Sequence, residues 1–269
     1  MWIGPAWAVV CGIVASGAFA WSGRDLMIAV LAIMLVDGAW ATVWWGLVET
    51  DWSAALSRWS AISPGQPLRL LPFAQPASPA ERTQRWLARF IAWWRSELWP
   101  RAGSPLSSVM VSLGLSMALS AVIGWPALAL SLAALALTQA GLLARRMRGR
   151  APSVAHGFLD VGLAWALGHA ALGSLSLLSA GMAIIFSVSY AAALELTHSG
   201  RSNRAWLLAQ MLAVIVLVVI QQPVAAFMLT AVLAAQAMLS TILHGLAFAR
   251  AAQFWLMAAM LIAALAVRG

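Results

Sequence analysis

Residues 26 to 48 read LMIAVLAIMLVDGAWATVWWGLV, and this run decides the fold because it is long enough to cross a bilayer. It carries one acidic residue, Asp37, near its middle. An ionised side chain at that depth costs roughly 2.5–3.5 kcal/mol on insertion scales, so we expect it to face protein or a wet cavity. The run ends in an aromatic and acidic rim that includes Trp44, Glu49 and Asp51. This helix is therefore the best candidate for one wall of a functional site.

The composition is that of a membrane protein. Of the 269 residues, 63% are hydrophobic and only 9% are charged. Several further runs are also long and apolar enough to span a bilayer. The single cysteine, Cys11, lies inside an apolar run, which leaves no disulfide framework and no cysteine-based metal site. We therefore expect an all-α polytopic membrane protein that forms one transmembrane domain over residues 1–269.

The apolar runs predict nine transmembrane helices in an up-and-down order. Their approximate bounds are 2–21, 26–48, 105–124, 126–144, 154–172, 174–195, 205–221, 223–243 and 249–267. Fourteen of the sixteen basic residues, all arginine, fall in the connections after spans two, four and six or, as Arg250, at the boundary between the eighth connection and span nine. The positive-inside rule then predicts a protein of the cytoplasmic membrane with its N-terminus in the cytoplasm and its C-terminus outside. The same distribution explains the net charge of +8 without a nucleic-acid partner.

The connection at 49–104 is predicted to be cytoplasmic and to contain a helix over about 79–98. Ser78, Pro79 and Glu81 form a capping-box pattern with proline at the first helical position. Arginines and aromatic residues then fall on different faces, which is typical of an amphipathic helix that lies in the membrane interface. A lid over a cytoplasm-facing cavity is the alternative role for this helix.

The layout of the chain resembles the UbiA superfamily of intramembrane prenyltransferases. Nine spans, an inward N-terminus and a long second-to-third connection are shared features. Three stretches add to the resemblance: Arg101 to Leu106 before span three, Leu142 to Asp160 around the fourth connection, and Ala249 to Phe254 at the start of the last span. The resemblance implies a UbiA-like bundle in which two Asp-rich motifs hold Mg²⁺ and the diphosphate of an isoprenoid.

Both Asp-rich motifs are depleted in this chain. At the first motif, residues 36–44, only Asp37 is acidic, and tryptophan stands at two positions where the family has aspartate. At the second motif, residues 195–201, only Glu195 is acidic. The resemblance then implies a ligand site made by residues that remain at these motifs and around the start of span five. These residues are Asp37, Trp40, Trp44, His156, Asp160, His198 and Arg201.

We expect a non-catalytic, isoprenoid- or pigment-binding membrane subunit with degenerate motifs. Its partners would be membrane lipids or isoprenoids and, in a larger complex, other membrane proteins. The alternative is an active prenyltransferase that transfers an isoprenoid from its diphosphate to a lipophilic aromatic or tetrapyrrole acceptor. That enzyme would need Mg²⁺ and would draw its catalytic carboxylates from Asp37, Glu49, Asp51 and Glu195. No metal site is expected otherwise.

Weaker patterns leave other functions open. Residues 37–41 match the start of the CDP-alcohol phosphotransferase motif, but Thr42 stands at its arginine position. His169, inside span five, could be an axial ligand of chlorophyll or haem, although a structural hydrogen bond is the simpler interpretation. His156 and Asp160 are four residues apart and should share a helix face and a hydrogen bond. A transporter would need inverted repeats or broken helices, and neither is clear in the sequence.

Overall fold

The computed structural model describes residues 4–52, 59, 78–199, 205–243 and 245–268, and their regular structure is helical throughout. Nine continuous helices follow one another in these ranges: α1 Pro5–Ser16, α2 Gly23–Glu49, α3 Pro79–Ile123, α4 Trp125–Arg148, α5 153–172, α6 Leu177–Ser199, α7 Ala205–Val219, α8 Pro223–Ile242 and α9 Gly245–Ala266. Six of them (α2, α3, α4, α6, α8 and α9) are long and apolar enough to cross a membrane. The prediction of an all-α membrane protein is confirmed.

The other three helices lie where the sequence predicts spans but are shorter or more polar. Helix α1 has 12 residues and α7 has 15. At 1.5 Å per residue these helices are about 18 and 23 Å long, against about 30 Å for the hydrocarbon layer. Helix α5 is long enough but contains His156, Asp160 and His169, which lower its hydropathy. The count of nine crossings therefore stays a prediction.

Helix α3 corrects the predicted connection between spans two and three. The sequence predicts a separate interfacial helix followed by a span that begins at 105, but α3 is continuous over 45 residues. It starts where predicted, with the backbone N–H of Glu81 donating to Ser78 Oγ at 3.2 Å. Pro105 lies inside the helix without ending it, as apolar surroundings allow when neighbouring groups satisfy the freed carbonyl.

The length of α3 decides what its amphipathic part can do. A helix of 45 residues is about 68 Å long, more than twice the thickness of the hydrocarbon layer, so the part that begins at Pro79 extends beyond that layer. A sharp bend toward the interface plane is expected only at a proline or at a π-helical turn. Helix α3 has such a turn at Trp94–Leu98, immediately before Pro100.

Glycines allow α1 and α5 to pack with their backbones in contact. A Cβ atom at Gly12 would collide with the carbonyl oxygen of Trp165, and one at Gly168 would collide with that of Val9. Small residues let helices approach this closely in lipid. The contact fixes α1 against α5, so that the start of α1, at Gly4, lies beside the N-terminal half of α5.

A buried glutamine pair joins α7 and α8. Gln210 Nε2 donates to Gln236 Oε1 at 2.9 Å, and Gln236 Nε2 donates to Gln210 Oε1 at 3.1 Å. Gln210 also donates to Ser189 Oγ on α6 at 3.2 Å. Both glutamines are 1% exposed, and a reciprocal amide pair of this kind links helices where no water competes.

Candidate functional site

A cavity of about 820 Å³ lies between α1, α2, α5, α6 and α9. It is bounded by the N-terminal halves of α1, α5 and α9 and by the C-terminal halves of α2 and α6. Helices with alternating directions therefore bring these five ends to one side of the bundle. The volume is within the range of roughly 300–1,000 Å³ that is usual for small-molecule sites.

Helix α2 forms the longest wall of the cavity. Its lining residues are Asp37, Ala41, Trp44, Trp45 and Glu49, which recur every three or four residues and so form one stripe of the helix. The rise of the helix places Asp37 about 18 Å from Glu49 along the axis. The cavity therefore follows α2 from its C-terminal end to a carboxylate near its middle.

Three π-helical turns border the cavity. Two are in α2, at Met34–Trp40 and Trp45–Glu49, and one is in α5, at Phe158–Leu163. Each of these turns carries one of the carboxylates that line the cavity. Turns of this type are rare, and they occur frequently at functional sites. Their shared position next to one cavity favours a functional role for it.

Asp160 is held by two partners inside the cavity. Its Oδ2 atom accepts a hydrogen bond from the Tyr190 hydroxyl at 3.3 Å and lies 3.2 Å from Nε2 of His156. The predicted contact between His156 and Asp160 is therefore confirmed. A Cβ atom at Gly4 would lie 3.4 Å from the same oxygen. The N-terminal end of α1 thus faces this carboxylate, and that end of a helix favours a negative charge.

Trp44 forms an aromatic wall with His156. The two rings are stacked, with centroids 5.0 Å apart and planes at 21°. A Cβ atom at Gly141 of α4 would lie 2.8 Å from the opposite edge of the indole. The indole N–H is buried and has no hydrogen-bond acceptor among the described residues, a condition that costs about 1–3 kcal/mol.

The three lining carboxylates differ in their partners. Asp160 has the two described above, and Glu49 Oε2 lies 3.9 Å from Nη1 of Arg145. Asp37 is exposed to the cavity and forms no hydrogen bond or ion pair with the described residues. Arg250, on the first turns of α9, lines the same cavity. Asp37 is therefore the carboxylate that is left open to a ligand.

Two of the candidate residues from the sequence lie away from the cavity. The indole of Trp40 points toward α4, where Nε1 donates to Ser131 Oγ at 3.1 Å, and its residue is 3% exposed. Glu195 accepts hydrogen bonds from Arg150, at 2.8 Å, and from Ser153. Trp40 therefore has a packing role, because it lies on the α4 face of α2, and Glu195 is an ion-pair partner rather than a free carboxylate.

The remaining candidates from the sequence are Asp51, His198 and Arg201. Asp51 is exposed just beyond the end of α2. The side chain of His198 and the whole of Arg201 lie outside the described residues. The structure thus brings together Asp37, Trp44, Glu49, His156 and Asp160 of the predicted set.

Tyr190, Arg250 and Gln253 line the cavity but were missed from the sequence. Tyr190 is the only tyrosine of the chain and lies in an apolar helix, which is a signal that could have marked it. The other two residues follow the start of α9 and resemble ordinary polar residues at a helix end, so the sequence alone gives no reason to choose them.

The carboxylates do not fit a site for Mg²⁺ and diphosphate. Asp37 and Glu49 are on one continuous helix, about 18 Å apart, whereas oxygen ligands lie about 2.1 Å from a magnesium ion. Within the described ranges, no three His, Cys, Asp or Glu side chains are close enough together to hold a metal ion. The acidic residues of the alternative enzyme hypothesis therefore form no cluster of three ligands in the described part of the chain.

His169 has a structural role. Its Nε2 atom lies 2.9 Å from the carbonyl oxygen of Ser174, and its Nδ1 atom lies 3.0 Å from Ser179 Oγ. With Nε2–H as the donor to the carbonyl, Nδ1 accepts from the serine hydroxyl, and no nitrogen lone pair is left for a metal. The structural hydrogen bond expected from the sequence is confirmed, and axial ligation of a pigment by His169 is not.

Comparison of the chain with protein-family models, with curated proteins and with solved structures gives no match. The resemblance to the UbiA superfamily therefore rests on the sequence layout and on the motif positions quoted above. The cavity is the feature of the molecule from which a function can be inferred.

Proposed function

We propose that this protein binds the apolar body of an isoprenoid or pigment in the cavity and does not catalyse prenyl transfer. It would be a UbiA-like membrane subunit that has kept the ligand-binding cavity and has lost the clustered aspartates of the enzymes. One observation carries the proposal: a cavity of about 820 Å³ is lined by three carboxylates that form no three-ligand metal cluster in the described part of the chain.

The walls of the cavity suit an apolar ligand with a small polar end. Trp44, Trp45, Leu194, Leu246 and Ala249 provide aromatic and aliphatic surface. Mainly apolar walls with a few convergent polar groups are typical of small-molecule sites. Trp45 lines the cavity and is also 60% exposed at the surface of the bundle, so a lipid-like molecule has a lateral path past this side chain.

The proposal includes nine crossings of the cytoplasmic membrane, a cytoplasmic N-terminus and an outer C-terminus. The meeting of five helix ends at the cavity and the position of most arginines on the same side support this orientation. The order can be tested with single cysteines placed in the connections of a Cys11→Ser variant. Labelling of residues 146–150 only from outside the cell would contradict it.

The ligand can be identified after purification in a mild detergent. We expect mass spectrometry of a solvent extract to show one isoprenoid- or pigment-like molecule in a fixed ratio to the protein. Ala41 lies in the middle of the α2 wall, so Ala41→Phe should fill the space and lower the occupancy several-fold. Val30→Phe is the matched control, because Val30 is on the same helix and is 55% exposed on its outer surface.

Three results would contradict the proposal. The first is an extract that contains only detergent and bulk phospholipid, and the second is the same ligand in equal amounts with Ala41→Phe. The third is Mg²⁺-dependent prenyl transfer by the purified protein that is lost with Asp37→Ala, since that would establish the active enzyme. Co-purification of a stoichiometric partner protein would show the larger assembly in which the subunit acts.

A further inference from the structure

We propose that the buried end of the ligand carries a positive charge and that Asp37 binds it. This inference rests on the proposed function, because it names the chemical class of the molecule in the same cavity. The ligand would be an amphiphilic cation, with an apolar body against the tryptophans and a cationic centre at the inner end of the cavity.

The partners of the three carboxylates single out Asp37. Asp160 already accepts from Tyr190 and contacts His156, and Glu49 faces Arg145. Asp37 has no ion pair or hydrogen bond among the described residues, and it is exposed to the cavity. A negative charge that the protein leaves uncompensated is available to a cation from outside.

The positive side chain of the cavity wall lies nearer to the opening. Arg250 is five residues from the start of α9, about 8 Å along that helix, whereas Asp37 is about 18 Å from the end of α2. His156, the other basic group of the wall, is already in contact with Asp160. Neither residue forms an ion pair with Asp37 in the described part of the chain, so the carboxylate of Asp37 is the negative group of the wall that is not directly neutralised.

The stripe of α2 that carries Asp37 also provides room and aromatic surface. Asp37, Ala41 and Trp45 are four residues apart in turn, so they lie one above another on the same face. The small side chain of Ala41 leaves space between the carboxylate and the indole. An apolar cation in that space would meet the carboxylate at one end and the face of an aromatic ring at the other, and both attract positive charge.

A ligand with an anionic head group should bind less well than a cationic one. A diphosphate or carboxylate that reached the inner end would be repelled by Asp37 unless a metal ion bridged the two. Within the described ranges, no three acidic, His or Cys side chains form a cluster that would hold such an ion without the ligand. The charge of the cavity therefore discriminates between apolar ligands by the sign of their polar end.

Two ions of nearly equal size and shape test this inference directly. Tetraphenylphosphonium and tetraphenylborate have the same four phenyl groups and opposite charges. Binding of each to the detergent-purified protein would be measured by equilibrium dialysis for the wild type, Asp37→Asn, Asp37→Glu and Ala41→Phe. Glu81→Gln is the matched control, because it also removes one carboxylate but from an exposed ion pair on α3, outside the cavity wall.

We expect the wild type, Asp37→Glu and Glu81→Gln to prefer the phosphonium ion. Asp37→Asn should weaken phosphonium binding by about tenfold or more and leave borate binding equal or stronger.

Equal binding of the two ions by the wild type, a preference for the borate, or a phosphonium preference that survives Asp37→Asn would overturn the inference. If Ala41→Phe still lowers binding of both ions in those cases, the cavity remains the ligand site and only its charge preference is refuted. If Ala41→Phe changes neither, the proposed function fails as well.

Discussion

The cavity and the α7–α8 interface both place polar side chains inside apolar helices, but they treat those side chains in opposite ways. At the interface, Gln210 and Gln236 satisfy each other through two hydrogen bonds and are closed to the surroundings. In the cavity, Asp37 has no partner among the described residues and faces open space. The glutamine pair therefore has a purely structural role. Asp37 keeps its charge available to a ligand, and this lowers the stability of the protein.

This difference gives a physical criterion for function inside a membrane. A buried polar group without a partner is expensive, so a paired group indicates a structural contact. An open charge at the same depth persists only if water or a ligand reaches it. Removing the polar group should therefore lower the free energy of unfolding at the glutamine pair and raise it at Asp37.

The largest expected effect is at the glutamine pair. Gln210→Leu removes one amide and leaves the other without its partner, which should lower the free energy of unfolding by about 2 kcal/mol. The measurement is unfolding in mixed micelles with increasing dodecyl sulfate, followed by circular dichroism.

The double variant Gln210→Leu/Gln236→Leu sharpens this test. Replacing both amides by apolar groups of similar size should restore most of the stability, because no unsatisfied group remains. A double variant that is less stable than the single one would show that these hydrogen bonds are not what holds α7 to α8.

A smaller effect of opposite sign is expected at Asp37. Asp37→Asn removes an uncompensated charge from the middle of α2 and should raise the free energy of unfolding by about 1 kcal/mol, less than the insertion cost of a charge in lipid because Asp37 is exposed to a cavity that water can enter. Because dodecyl sulfate is anionic, Glu81→Gln serves as the control for loss of one negative charge. A loss of stability with Asp37→Asn beyond that of the control would mean that Asp37 has a structural partner.

The smallest effect is expected at Glu49. Its oxygen lies 3.9 Å from Arg145, and both side chains are partly exposed, so Glu49→Gln should change the free energy of unfolding by less than about 0.5 kcal/mol. The same unfolding measurement applies. A loss of more than about 1 kcal/mol would show that this ion pair closes the cavity mouth and that the cavity is not open at that end.

Much of the helical layout follows from the sequence because hydropathy and capping act locally. Each of the nine predicted runs overlaps one described helix, although α3 begins well before its run, and the start of α3 is as the Ser78 pattern predicts. The continuity of α3 could not be predicted, since Pro100 and Pro105 are ordinarily signs of a helix boundary. Proline inside a helix is tolerated when tertiary or apolar surroundings compensate for the lost hydrogen bond.

The candidate site was partly predictable for a related reason. An acidic residue in an apolar run, such as Asp37 or Asp160, can be picked out from the sequence because burying its charge is energetically unfavourable. Its neighbours on other helices cannot be identified in this way. The contact of Tyr190 with Asp160 depends on the approach of α6 to α5 at Gly157, where a Cβ atom would lie 2.6 Å from the carbonyl oxygen of Ser187. The π-helical turns also have no signature in hydrophobic periodicity.

The open cavity beside α2 is tested most directly by measuring whether water reaches the middle of that helix from one side only. In a Cys11→Ser background, the variants Ala41→Cys and Val30→Cys would be treated in sealed vesicles of known orientation with a membrane-impermeant thiol reagent. With an open cavity, Ala41→Cys should be modified from the side of the arginine-rich connections, while Val30→Cys, on the outer surface of the helix, should not be modified from either side. No modification of Ala41→Cys, or modification only from the opposite side, would contradict an open cavity with Asp37 at its inner end.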